Sequence, residues 1–94
     1  MLRTKVVCTL GPATSAPETV HQMVRDGMNL ARINMSHGSR EDHQRAIEAV
    51  RAAGRELGVP VAVLVDLQGP KIRVGELAEP IELERGTIVT IAPE

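Results

Sequence analysis

A chain of 94 residues, 43% hydrophobic and 24% charged with a formal net charge of −1, has room for one small globular domain. The near-neutral charge and the absence of Phe, Tyr and Trp argue against a nucleic-acid binder, and no segment approaches the ~20 apolar residues that span a bilayer. Cys8, the single cysteine, has no partner for an internal disulfide and the N-terminal apolar run is too short for a secretory signal, so a cytoplasmic setting is expected.

In chain order, Lys5 to Leu10 is β-branched and apolar and is halted by Gly11-Pro12, which predicts a short buried strand. Ser15-Ala16-Pro17-Glu18 has the pattern of a helix capping box with serine as N-cap, and Gly27 is placed to end that helix. Asn29 to Met35 predicts a second strand. Ser39 and Asp42 form a second capping box, opening a long helix with Ala46, Ile47, Val50 and Leu57 turned inward, and Gly58-Val59-Pro60 ends it. Val61 to Val65 is an unbroken apolar run, the pattern of a strand buried on both faces.

This order of strand, helix, strand, helix, strand predicts right-handed βαβ units and a parallel α/β sheet. Three strands cannot close a barrel, and a core of Val, Leu, Ile, Met and Ala without aromatics is thin for so short a chain. Both features point to a part of something larger. From about Glu76 the texture changes. Residues 79–91 alternate polar and apolar, the mark of strands covered on one face, and a domain boundary is expected near Gly75.

Each of the three predicted strands ends in a conspicuous polar turn: Thr9 to Pro12, Arg32 to Gly38, and Asp66 to Arg73. In parallel α/β folds ligands bind at the C-terminal ends of the strands, so the three turns would rim one mouth. Alternation along a strand puts Arg32, Asn34 and Ser36 on one face. Arg32, Lys71 and Arg73 offer positive charge suited to phosphate, while Asn34, Ser36 and Asp66 offer oxygen donors suited to a hard cation. The residues alone thus point to an anionic, phosphorylated ligand accompanied by a metal ion, and they do not name it.

TKVVCTLGPAT, GMNLARINMSHG and VDLQGPKIRVG occur in that order, and over nearly all of residues 3–94 the chain resembles the pyruvate kinase family. The resemblance implies that residues 1–75 are the βαβαβ opening of a (β/α)₈ TIM barrel. Residues 76–94 would begin an inserted small β-barrel lid domain. It implies phosphoryl transfer from phosphoenolpyruvate to ADP, giving pyruvate and ATP in glycolysis, with Mg²⁺ and a monovalent cation as cofactors and a homotetrameric full-length enzyme. Arg32 corresponds to the family arginine that contacts the substrate phosphoryl group. Asn34, Met35, Ser36, His37 and Arg73 correspond to nucleotide-binding positions. Asn34, Ser36 and Asp66, with the Leu67 backbone carbonyl, correspond to the potassium ligands.

The chain departs from the family pattern at two points. Potassium-requiring members commonly have an acidic residue where this chain has Lys71, whose fixed charge can stand in for the ion and make K⁺ dispensable. The family's catalytic lysine, its Mg²⁺-binding carboxylates and its proton donor match nothing within these residues. The resemblance therefore implies an N-terminal segment with no catalytic residue of its own, inactive alone; the alternative is a non-catalytic phosphate-binding fragment.

Simpler readings exist for the same side chains. Arg32 can serve as a strand-end residue paired with a surface acid, Asp66 as a turn cap, and Asn34 and Ser36 as turn formers before the helix. His37, His21 and His43 suit solvated positions, Cys8 a small buried hydrophobe, and the methionines core filler.

Overall fold

The computed structural model describes residues 3–93. Three parallel strands, β1 (Val7–Leu10), β2 (Leu30–Asn34) and β3 (Ala62–Asp66), are joined by two helices, α1 (Pro17–Arg25) and α2 (Arg40–Leu57), with a 3-10 turn at Pro12–Thr14. The sheet order is β1-β2-β3, as expected for successive βαβ units. Val7 faces Leu30, Thr9 faces Arg32, and Leu10 faces Ile33 across the first pair. Leu30 faces Ala62, Arg32 faces Leu64, and Asn34 faces Asp66 across the second.

Because paired residues in a parallel sheet share a face, this register divides the side chains into two sets. Leu10, Ala31 and Ile33 lie on the helix-covered face and are buried with Val20 and Val24 of α1, Met28, and Ala46, Ala49, Val50 and Ala53 of α2. The three buried alanines of α2 leave no bulk between helix and neighbours, and α2 packs closely on both α1 and the sheet. Ile47 and Leu57, expected inward, are only partly buried at the rim of this core.

The helix ends follow the sequence at three of four points. Gly27 and Gly58 have φ of +115° and +65°, a region open to glycine, and each follows the last turn of its helix. The Met28 N–H donates to the Met23 carbonyl at 2.9 Å and that of Gly27 to Val24 at 3.1 Å, closing α1. Ser39 and Asp42 form the expected reciprocal capping box on α2. The box expected at Ser15 and Glu18 does not form: α1 is capped by Ala16, without a side-chain bond. The preceding 3-10 turn has claimed Ser15, whose Oγ donates to the Pro12 carbonyl at 3.4 Å.

Two expectations for the second half are corrected. β3 is not buried on both faces; Leu64 and Val65 are 42% and 43% exposed. It is an edge strand, and among the described residues no helix follows it to cover the sheet there. Residues 67–93 are exposed, and among the described residues this stretch contains no strand, only a turn in which the Thr87 N–H donates to the Glu84 carbonyl at 3.1 Å. Alternation alone cannot hold a strand without a paired neighbour and a face to cover.

Candidate functional site

The sheet face turned away from the helices carries Val7 and Thr9 from β1, Leu30, Arg32 and Asn34 from β2, and Ala62, Leu64 and Asp66 from β3, as the register requires. Its apolar members lie toward the strand starts and its polar members toward the strand ends. Thr9, Arg32, Asn34 and Asp66 thus form one polar group at the C-terminal edge, drawn from all three strands.

Arg32 lies at the centre of this group. Its Nε donates to Asp66 Oδ2 at 3.0 Å, Nη2 donates to the same oxygen, and Nη1 donates to Thr9 Oγ1 at 3.3 Å. The pair is half-buried, with side-chain exposures of 33% for Arg32 and 44% for Asp66. Pairing of Arg32 with an acid, one of the simpler readings of the sequence, is therefore present. It leaves part of the guanidinium uncommitted. Among the described residues no hydrogen bond falls on Asp66 Oδ1, so that oxygen remains available to another positive group.

Beyond β2 the chain turns sharply. Asn34 Oδ1 accepts the Ser36 N–H at 3.1 Å, and the His37 N–H donates to the Asn34 carbonyl at 3.3 Å. The Met35 N–H donates to the Asp66 carbonyl at 3.0 Å, extending the β2–β3 pairing by one step. The strand ends at Asn34, so two-residue alternation does not reach Ser36, and the expectation that Ser36 shares the Arg32 face by strand geometry falls. What links Ser36 to the group is its backbone bond to Asn34. As turn formers, Asn34 and Ser36 behave as their residue types predict.

Two histidines whose sequence context suits solvated positions are engaged. His43 Nε2 meets the His37 carbonyl, tying the first turn of α2 back to the loop, and its buried Nδ1 has no partner among the described residues. His21 Nε2 lies 3.4 Å from Glu56 Oε2, linking α1 to α2. Asp42, which caps α2, accepts from the backbone and hydroxyl of Ser39 and from Arg45, and these contacts lower its pKa from 3.8 to about 2. A cleft of about 970 Å³, lined by residues including Leu10, Pro12, Ile33, His37, His43 and Ala49, lies between the 3-10 turn and α2. Most of its wall is apolar, so the Arg32 face suits an anion better.

Of the residues singled out from sequence, Arg32, Asn34 and Asp66 are brought together, and Met35, Ser36 and His37 follow directly in the adjoining loop. Leu67 is the next residue after β3, with an exposed side chain. Lys71 and Arg73 lie in the exposed stretch and form no ion pair among the described residues. Thr9, in sequence only a residue of the first strand and its end, joins the group through its register opposite Arg32. Asn34 and Asp66, register partners with oxygen side chains, fit a hard monovalent cation with Ser36 nearby. Among the described residues there is no cluster of acids or histidines able to hold a divalent metal.

A family model described as pyruvate kinase, barrel domain, matches residues 1–94. A pyruvate kinase of Chlamydia trachomatis serovar D is 42% identical over 89 residues, covering 95% of this chain and 18% of the relative. The cytosolic isozyme of pyruvate kinase from Nicotiana tabacum is 44% identical over 94 residues, covering 98% of this chain and 18% of the relative. A pyruvate kinase of Staphylococcus aureus strain USA300 is 43% identical over 93 residues, again 98% of this chain and 16% of the relative. The chain thus spans less than a fifth of the length of these curated relatives.

Proposed function

The chain belongs to the pyruvate kinase family, and from that premise we propose that it forms the opening segment of a barrel enzyme that transfers the phosphoryl group of phosphoenolpyruvate to ADP. The observation that carries this reading is the position of Arg32: a half-buried guanidinium at the C-terminal edge of a parallel sheet, held by Asp66 and Thr9 from the strands on either side. Strand ends are where α/β barrels bind ligands, and phosphoryl transfer depends on positive charge held in place before the reaction. Residues 1–75 then supply the first three strands and two helices of a (β/α)₈ barrel. Residues 76–94 begin its lid.

In this reading Arg32 contacts the substrate phosphoryl group, while Asn34, Met35, Ser36, His37 and Arg73 meet the nucleotide. A bound K⁺ would be held by Asn34, Ser36 and Asp66 with the Leu67 carbonyl, and would supply one unit of positive charge beside the phosphates. Lys71 carries that same charge on a side chain and makes the ion dispensable. Mg²⁺ ligands and the groups that perform chemistry belong to later parts of the barrel. Family membership favours this role over that of a free-standing phosphate-binding fragment. A homotetrameric enzyme working in the cytoplasm completes the proposal. No helix of the described residues is long and apolar enough to cross a membrane, and the tobacco relative is named a cytosolic isozyme.

The test is to assay pyruvate formation from phosphoenolpyruvate and ADP with Mg²⁺ for the 94-residue chain and for the longest polypeptide that source cells produce from it. The proposal expects turnover by a longer polypeptide and none by the segment alone. A longest product of 10.1 kDa would remove the catalytic role.

A further inference from the structure

We propose that Thr9 is a positioning residue for Arg32, its hydroxyl fixing the guanidinium so that one N–H on each terminal nitrogen is left free for an oxyanion. This rests on the reading above, in which Arg32 meets the substrate phosphoryl group, and adds to it a residue from β1.

A guanidinium carries five N–H donors, one on Nε and two on each terminal nitrogen. Asp66 Oδ2 accepts from Nε and from Nη2, and Thr9 Oγ1 accepts from Nη1. Among the described residues, one donor on Nη1 and one on Nη2 remain without an acceptor. Two N–H groups on the terminal nitrogens of a planar fork match two oxygens of a phosphoryl group. Asp66 alone grips the guanidinium along one edge from β3, and both contacts fall on a single oxygen. A single acceptor atom lets the plane pivot about it. The contact from Thr9, on the opposite neighbouring strand and directly in register with Arg32, adds a second fixed point and stops that motion.

A bland explanation for Thr9 is that threonine favours strands. Valine does so equally and has nearly the same shape, so Thr9→Val isolates the hydroxyl. In the complete enzyme, Thr9→Val is expected to raise KM for phosphoenolpyruvate about tenfold, as loss of a hydrogen bond to a charged group implies, with kcat and KM for ADP little changed. Inhibition by inorganic phosphate should weaken in parallel. Thr9→Ser, which keeps the hydroxyl, should restore both values, and Thr9→Ala should reproduce the valine result.

Native KM in Thr9→Val or Thr9→Ala, measured where Arg32→Lys is impaired, overturns the role of Thr9 alone. A KM defect that Thr9→Ser fails to restore does the same, because it assigns the effect to packing. Arg32→Lys with native KM overturns the parent reading of Arg32, and the role of Thr9 falls with it.

Discussion

Arg32 and Asp66 stand 34 residues apart in the chain and meet across adjacent strands, the arginine donating through Nε at 3.0 Å and through Nη2 to the same carboxylate oxygen. The contact is specific in geometry but only half-buried, which separates its effect on stability from its effect on function. Exposed and half-exposed ion pairs contribute little, so Asp66→Ala is expected to cost under about 1 kcal/mol in urea unfolding. In the complete enzyme the same change should lower kcat/KM for phosphoenolpyruvate by at least about tenfold, through loss of a charge-assisted bond that orients Arg32. Steady-state kinetics beside the unfolding curve separate the two.

The core predicts a contrasting response. Val50 is fully buried between α2 and its neighbours, in a core of alanines and valines with Leu10, Ile33 and Met28. Val50→Ala removes two methyl groups and should destabilise by about 2 kcal/mol, seen as a shift of the unfolding midpoint. Arg32 and Thr9 lie on the other face of the sheet, so the KM for phosphoenolpyruvate should stay near native wherever the variant remains folded.

The cap of α2 sets an acid limit. Hydrogen bonds from Ser39 and then Arg45 depress Asp42 from its ordinary 3.8 to about 2 in the folded chain. A depressed acid stabilises the fold above its unfolded pKa and loses that contribution as the proton returns. Stability should therefore fall as pH drops from about 4 through about 2 by protonation of Asp42. In Asp42→Asn the fall over this window should be smaller, measured by circular dichroism at 222 nm in an acid titration.

Lys71 predicts how the enzyme responds to monovalent cations. If its ammonium supplies the charge otherwise brought by K⁺, the complete enzyme should turn over in buffers containing sodium as the only monovalent cation. Lys71→Glu should then create a potassium requirement, read as activation by added KCl against a NaCl control of equal ionic strength. A native enzyme inactive without potassium would contradict this assignment.

The parts of the fold that were legible in the sequence are those fixed by neighbours in the chain. Ser39 and Asp42 cap α2 because a serine and an acid three residues on satisfy each other locally, and Gly27 ends α1 because its backbone does what other residues avoid. The same logic failed at Ser15, where another local structure, the 3-10 turn, competed for the hydroxyl. The apolar run of β3 encodes burial that the flanking elements of this chain do not supply, and the alternation at 79–91 encodes a sheet face without a paired strand.

Site residues divide in a similar way. Arg32, Asn34 and Asp66 stood out because polar side chains at strand ends are unusual, and the register then placed them together. Thr9 carried no such signal, since threonine is ordinary in a strand; only its alignment with Arg32 reveals it. His43 was missed because its partner is a backbone carbonyl six residues earlier, reached by the curvature of a loop that residue types do not specify.

Whether Arg32 holds the phosphoryl group being transferred is decided by comparing native and Arg32→Met forms of the complete enzyme in pyruvate formation from phosphoenolpyruvate and ADP. Removing a preorganised charge from the transferring group should lower kcat/KM by about 10²–10³-fold, with thermal stability reduced only slightly. Equal turnover by the two forms would remove Arg32 from the phosphoryl site.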